Sequence, residues 1–356
     1  MKERIYVCHT YYHAYVAFLK ELNLPKEKRG QATLLLSSMS CRFENLKDRV
    51  DASGLFEACL PFDEKRDSEY PQLQKYHKPN QSLVKNLFQR ILFTKKFGEL
   101  TAKTLPVDMK EYREIYVFCD SDPIGFYLNR YRIPYHAVED GLNCLKNYDA
   151  ARYDNRGHFA LKAFLSERLN LIFIQNGYGK YCIDMEVNDI SAIEHPYRKY
   201  VEKRRQDLVD ALSDEDKEII LRTFIRNKEE LDQQINAAKD QQDKILLLTE
   251  PLCDLKTRER IFRDLIDRYE KEGMIILKPH PRDELDYHQL FPNLMIIDAT
   301  VPMEMLNYYP GLQFRKAVAV LTEVTGIHFA EEVIRLGSDF MDAYEDPKIH
   351  RQNEMI

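Results

Sequence analysis

The chain has 356 residues, enough for two domains of ordinary size with sizeable cores. At 44% hydrophobic and 31% charged residues it reads as globular rather than disordered, and a formal charge of -6 excludes the overall basic field of a nucleic-acid-binding protein. Seven cysteines without a CxxC pair argue against a structural zinc site or a disulfide framework.

Met1-Lys2-Glu3-Arg4 runs directly into an apolar stretch, which predicts a strand at 5–7 with no signal-peptide apolar region ahead of it. A helix is predicted near 13–22, strands at 33–36 and within 54–61, and a long helix over 82–102. Strand 114–119, a short helix at 123–130 and strand 134–138 continue the alternation, which specifies a mostly parallel sheet with helices on its faces. Residues 142–240 read as a helical insertion, mixed aromatic and charged to about 176, then charged helices at 197–212, 215–226 and 228–239.

The polar run Asp240-Gln241-Gln242-Asp243 marks the expected boundary, giving an N-terminal domain at 1–240 and a C-terminal domain at 241–356. The second half repeats the grammar, with strands at 244–248, 274–277, 294–297 and 317–321 and helices at 257–272, 303–308 and 328–336. Its last helix is free to pack back on the first domain. The expected fold class is therefore α/β, two Rossmann-like domains whose parallel sheets face a central nucleotide-binding cleft. Neither half carries GxGxxG or GxxxxGK[ST], which removes NAD enzymes and P-loop kinases. No run reaches the ~18–20 apolar residues of a membrane span, so a cytoplasmic protein is expected, with peripheral contact at the inner face of a membrane left open.

Chemistry concentrates at strand ends. Lys278-Pro279-His280-Pro281-Arg282-Asp283 follows the apolar run Met274-Ile275-Ile276-Leu277. Two prolines stiffen that turn, and Lys278, His280 and Arg282 can each donate to anionic phosphate oxygens. Glu139-Asp140-Gly141 follows the strand 134–138 and delivers two carboxylates to the mouth of the first sheet. Adjacent carboxylates raise one another's pKa, which tunes one of them as a base. A plain acidic turn has the same sequence. Glu304, in Val301-Pro302-Met303-Glu304, lies in the first turn of a helix and could take both ribose hydroxyls, or only stabilise the helix N-terminus. Thr322 and Thr325, in Thr322-Glu323-Val324-Thr325-Gly326, lie where a strand gives way to a helix, which suits either phosphate binding or N-capping.

Weaker candidates stand beside these. His9, Thr10, Tyr11, Tyr12 and His13 follow the first strand and could touch a sugar or simply pack. Asp120-Ser121-Asp122 has the form of a metal-binding Asp-x-Asp, but Pro123 makes the second Asp equally a helix start, and no metal is expected. His195-Pro196 opens a charged segment and reads as a surface turn.

Glu139-Asp140-Gly141 and Lys278-Pro279-His280-Pro281 together resemble the acidic and His-Pro motifs of the bacterial sialyltransferases. The Lys-Pro-His-Pro-Arg-Asp form and the opening strand with its polar turn are most similar to glycosyltransferase family 52, the lipooligosaccharide sialyltransferases. Val301-Pro302-x-Glu304 and the 322–325 segment look like later nucleotide-binding elements of that family, although two adjacent Ser/Thr residues are usual there and here they are separated. The resemblance implies a GT-B fold and transfer of sialic acid, or a related nonulosonic acid, from a CMP donor to a glycan or glycolipid hydroxyl, in lipooligosaccharide or capsule synthesis. It implies Asp140 as general base beside Glu139, with His280 as general acid or cationic partner of the departing phosphate. Lys278, Pro281, Arg282, Glu304, Thr322, Thr325 and Gly141 are implied to bind the donor. The chemistry is coherent without a metal or other cofactor, since a tertiary anomeric centre ionises readily and its leaving phosphate needs fixed cations. A CDP-glycerol-type transferase, a GT-B epimerase and a non-catalytic nucleotide-binding subunit are the competing readings. The charged helices between 196 and 239 leave a homodimer open.

Overall fold

The computed structural model describes residues 1–78, 81–141, 145, 149–238, 243–280, 282–309, 312–322, 324 and 327–350. The chain divides into two compact units, Met1–Asp216 and Lys217–Ile356.

The first unit is built on seven strands: β1 (Lys2–Cys8), β2 (Ala32–Ser37), β3 (Ala58–Phe62), β4 (Tyr112–Phe118), β5 (Tyr135–Val138), β6 (Cys182–Val187) and β7 (Tyr200–Glu202). Their order is β3-β2-β1-β4-β5-β6-β7, and every pairing is parallel. A parallel sheet is covered on both faces, which explains why Ile5–Cys8 and all of β2 are apolar or small and buried without alternation. The helix Tyr11–Leu22 starts at Thr10, whose side chain accepts the His13 N–H, and lays Ala14, Val16, Phe18 and Leu19 on the sheet. Its Glu21 is fully buried, yet Arg4 meets it through Nε at 2.7 Å and Nη2 at 3.0 Å, and the Tyr6 hydroxyl donates at 2.7 Å. That bidentate pairing keeps a buried carboxylate from being an uncompensated charge.

The segment expected as a helical insertion instead continues the sheet. Residues 182–187 and 200–202 form β6 and β7, and of the helix expected at 197–212 only Arg205–Asp210 is helical. Asp184 and Glu186 disguise β6 as a surface segment. In the fold Glu186 is buried against Lys20 Nζ at 2.6 and 2.7 Å, a partner 166 residues away.

The second unit has five strands, β8 (Lys244–Leu248), β9 (Met274–Lys278), β10 (Met295–Ile296), β11 (Phe314–Ala319) and β12 (Ala330–Arg335), in the order β10-β9-β8-β11-β12, again all parallel. The helix expected at 328–336 is β12. It is an edge strand with mostly exposed side chains, so Glu331, Glu332 and Arg335 give it no strand-like alternation. The division between units falls at 216/217 rather than 240/241, because the helix Lys228–Ala238 sits with the second unit: the Tyr309 hydroxyl donates to Asp232 at 3.0 Å. Phe340, Met341 and Tyr344 pack into the second unit's own core.

Gly125, early in the helix Pro123–Tyr131, shows how closely that helix approaches the end of β4: a Cβ there would lie 1.9 Å from the Asp120 carbonyl oxygen and 2.8 Å from the Phe173 ring. Gly125→Ala is expected to destabilise the fold by about 3 kcal/mol, read by denaturant unfolding, since backbone cannot yield as a flexible side chain would. Wild-type stability in this variant would contradict the packing.

Candidate active site

Open α/β sheets bind ligands outside the carboxyl ends of their strands, at the point where strand order reverses. In the first unit that point lies between β1 and β4. The carboxyl ends of β1 to β5 deliver His9, Ser37, Glu64, Asp122 and Asp140 to this edge, with His13 one turn into the following helix.

Asp140 is held from beneath. His13 is fully buried, its ring stacks on Phe118 at 4.7 Å, and its Nε2 lies 2.7 Å from Asp140 Oδ1 and 2.9 Å from the Asp140 carbonyl oxygen. The His13 Nδ1 accepts the backbone N–H of His9 at 3.1 Å, which places the ring proton on Nε2, aimed at Asp140. Burial holds the His13 pKa below the usual value despite Asp140, so the pair is a neutral imidazole donating to a carboxylate. Burial alone would raise Asp140, but the His13 hydrogen bond and a second from Cys119 outweigh it and the carboxyl sits below its ordinary range. The Asp140 side chain is 48% exposed, so an ionised carboxylate pinned on one side stays open on the other.

Next to it lies a second network. His9 Nε2 sits 2.7 Å from Glu64 Oε2 and 3.3 Å from Asp122 Oδ2. Glu64 Oε2 also accepts from Ser37 Oγ at 2.7 Å, while Oε1 accepts the Ile124 N–H at 2.9 Å. Burial works against a charged His9, yet the Glu64 hydrogen bond and the field of Glu64, Asp122 and Asp140 raise its pKa. Burial, opposed by His9 and reinforced by Glu64, Asp140 and Asp120, pushes Asp122 up to about 7. Asp120 accepts the backbone N–H groups of Asn176 and Gly177 and the Tyr135 hydroxyl, which fits a structural anchor rather than half of a metal-binding Asp-x-Asp. Of the described residues, His13, Cys119 and Asp140 are the group whose ligand atoms lie within 4.8 Å of one another, close enough to hold a metal ion.

The two adjacent carboxylates are tuned differently from the sequence expectation. Glu139 is the raised one, to about 7, and the main cause is burial, with Asp140 only a minor contributor. Its Oε2 accepts the Asn188 N–H at 2.7 Å, so it braces the end of β5 against β6 and does not share the open position of Asp140. Gly141 does not require a left-handed backbone, and a Cβ there would meet nothing within 4 Å among the described residues.

In the second unit the reversal lies between β8 and β11. His280 follows β9; its backbone N–H donates to Thr249 Oγ1 at 3.1 Å, and its Nδ1 accepts the Arg282 N–H at 3.1 Å. The proton of the neutral ring is thereby on Nε2. Burial, aided by the neighbouring Arg282 and Lys278 cations, holds its pKa below the usual value, so in the unliganded protein it is a neutral donor and not the expected cation. Asp283, the last residue of the motif, is the anchor: fully buried, it pairs with Arg258, accepts from Thr249 Oγ1 at 2.6 Å and from the Tyr287 hydroxyl at 2.8 Å.

Lys278 does not reach outward. Its Nζ is buried and donates to the carbonyls of Pro279 at 2.9 Å and Ala299 at 3.1 Å, with burial lowering its pKa to about 8, so it ties turns together and does not present a charge to phosphate. Arg282 is exposed. Glu304 lies in the first turn of a 3-10 helix, Met303–Tyr308, half-buried, with burial raising its carboxyl pKa against the pull of Lys278. The Thr322 N–H, expected to be offered to phosphate, is taken by Glu250 Oε1 at 2.7 Å, as are those of Val320 and Leu321. Pro281 and Thr325 lie outside the described residues.

Residues 63–315 match the sequence model of Glycosyltransferase family 52. The chain belongs to that family. It is 30% identical over 109 residues to an uncharacterised protein of Haemophilus influenzae, a match over 29% of this chain; the chain thus spans about a third (33%) of the curated relative's length. Its fold is similar to that of a Photobacterium 2,6-sialyltransferase crystallised with donor product CMP and acceptor lactose (TM-score 0.55, 9% identity, 93% of this chain and 71% of that one). It is also similar to the GT-B domain of a sialyltransferase from Photobacterium damselae (TM-score 0.50, 11% identity, 90% and 86%). The family 52 chain therefore has the GT-B type of fold.

The first-unit edge has a measurable proton linkage. Asp122 binds its proton more tightly folded than unfolded, so that contribution is full below about pH 4 and is lost as pH rises through about 7. Asp122→Asn should therefore gain stability on the wild type between about pH 5 and pH 8, by on the order of 1 kcal/mol in denaturant or thermal unfolding. Parallel stability curves would contradict the raised pKa.

Proposed function

We propose that this family 52 glycosyltransferase moves sialic acid, or a related nonulosonic acid, from its CMP donor to a saccharide hydroxyl, with inversion and without a metal. The observation that carries the reading is the Asp140 carboxylate: ionised, oriented by a buried neutral His13, and open on its remaining side. The sialyltransferase folds the chain resembles, one of them bound to CMP and lactose, support the choice of donor and acceptor class.

In this reaction the acceptor oxygen attacks the anomeric carbon as the bond to the CMP phosphate breaks, and the bonding pair leaves with phosphate. Asp140 takes the acceptor proton. A lowered pKa suits it to an oxocarbenium-like transition state, where the hydroxyl becomes acidic only as its bond to carbon forms. His280 donates from Nε2 to the leaving phosphate; the anionic phosphodiester of the bound donor favours its imidazolium, so protonation follows donor binding. Exposed Arg282 adds a cation. Glu304 takes the ribose hydroxyls, and Thr322, Thr325, Pro281 and Gly141 complete the donor contacts. Glu139 positions the β5 end and is not itself a proton carrier.

Three outcomes test this. Asp140→Asn should lower kcat ~10²–10⁴-fold with donor KM within a few-fold of wild type. His13→Ala should move the acid limb of the kcat/KM profile to higher pH, because Asp140 loses the donor that lowers its pKa, whereas His13→Gln, which keeps an N–H, should move it less. CMP-sialic acid should be turned over with EDTA present while CDP-glycerol is not. Turnover of CDP-glycerol alone, loss of activity to EDTA, or a retained anomeric configuration would each overturn the corresponding part.

A further inference from the structure

Asp122 has the sequence position of a helix cap and does not serve as one. It stands directly before Pro123, at the N-cap of the helix Pro123–Tyr131, in the extended conformation a cap requires, yet its side chain makes no cap bond. Both backbone donors that a cap would take are already used. The Ile124 N–H goes to Glu64 Oε1 at 2.9 Å, and the Gly125 N–H goes to the Asp122 main-chain carbonyl at 2.9 Å. The Asp122 carboxyl is turned instead onto His9, with Oδ2 3.3 Å from Nε2. That contact satisfies it only in part, because Glu64 Oε2 lies 2.7 Å from the same nitrogen and one ring N–H cannot serve two carboxyl groups equally. Nδ1 of the buried ring has no partner among the described residues, so the imidazole is committed to the two acids through a single nitrogen. Glu64 is fully buried and the Asp122 side chain is 20% exposed, so of the two acids on His9 it is Asp122 that opens outward.

Its place in the sheet gives this spare carboxyl a use. Phe118, the last residue of β4, pairs with Val138, the last of β5. Asp122 and Asp140 therefore leave neighbouring strands, four and two residues past that pair, and share one edge. Burial acts to raise both carboxyls. At Asp140 the His13 hydrogen bond outweighs it, whereas Asp122, with Glu64, Asp140 and Asp120 reinforcing burial and His9 opposing it, is pushed up to about 7. Two carboxyl groups held at different proton affinities on one edge divide the work of a base and a hydrogen-bond donor. Asp140 is the base in the reading above. Asp122 keeps an O–H for a ligand oxygen below neutral pH. With Glu64 and Asp140 as neighbours, that ligand group is an uncharged hydroxyl, since a phosphate or carboxylate there would meet like charge.

We propose that Asp122 orients the acceptor, its carboxyl hydrogen-bonding a sugar hydroxyl beside the one that Asp140 deprotonates. The assignment rests on reading Asp140 as the base on the acceptor side. With the full chain and lactose as acceptor, Asp122→Ala should raise the acceptor KM about tenfold while calorimetric CMP binding stays within about twofold. Its melting temperature should be unchanged, since no cap bond is lost. Asp122→Asn, which keeps a neutral N–H donor, should stay within about threefold of the wild-type KM at pH 6. The wild-type acceptor KM should climb as pH rises through about 7, where Asp122 loses its proton, and Asp122→Asn should not show that climb. His9, Glu64, Asp120 and Asp140 also face Asp122, and the Asn variant separates its titration from theirs. Independently of turnover, the 13C carboxyl resonance of Asp122 should shift when lactose is added. An acceptor KM unchanged in Asp122→Ala, a climb that persists in Asp122→Asn, or an Asp122 resonance indifferent to lactose would overturn the assignment. Full activity in Asp140→Asn beside the expected Asp122 responses would instead overturn the choice of base and leave the acceptor contact standing.

Discussion

Glu64 is the group on which the carboxyl edge of the first sheet depends. Its side chain is fully buried, and a carboxylate taken out of water is tolerated only where donors replace the water. Those donors come from three places: Ser37 at the end of β2, His9 after β1, and the N–H of Ile124 in the helix that follows β4. One buried charge thus locks four strand ends into register. The consequence reaches Asp140 without touching it. With His9 fixed, its backbone N–H fills the Nδ1 of His13, and the remaining ring proton can face only Asp140. The orientation of the exposed carboxylate follows from an acid buried several groups away.

The second unit solves the same problem with different residues. Glu250 spans its strand-order reversal by collecting the N–H groups after β11, and Asp283 collects Thr249, Arg258 and Tyr287 beneath the His280 turn. In both units the buried carboxylates hold geometry while a more exposed neighbour is left open. Fixed donors that need no rearrangement during reaction are what make such an edge catalytically useful. The contrast between Glu139 and Asp140 makes the point at one peptide bond: burial raises the first, a histidine lowers the second, and side-chain chemistry alone distinguishes neither.

Much of the fold could be read from the chain because parallel strands announce themselves. Ile5–Val7, Leu34–Leu36, Val117–Phe118 and Ile245–Leu248 are buried on both faces and read as unbroken apolar runs. The misread elements are those whose polar residues have distant partners or face solvent. β6 contains Glu186, satisfied by Lys20, and β12 is an edge strand whose charges point outward. At the site, Asp140 and His280 stood out because each ends an apolar run. His13 was legible only as one of a run that could touch a sugar or pack, and Glu64 and Asp283 did not stand out: an acid in a charged loop and the last residue of a basic motif carry no local sign of burial. Nor did the inward turn of Lys278, since a lysine's sequence neighbours do not say which carbonyls it will meet.

The sequence by itself determined the class of fold and the strand ends that carry polar side chains, because periodicity and composition are local properties of the chain. Only the tertiary structure decided which of those polar groups are buried, which nitrogen of His13 and of His280 carries its proton, and which carboxylate is raised and which lowered. Proton affinity depends on desolvation and on partners brought from as far as 127 residues away, as His13 and Asp140 are, and those distances exist only once the sheet has formed.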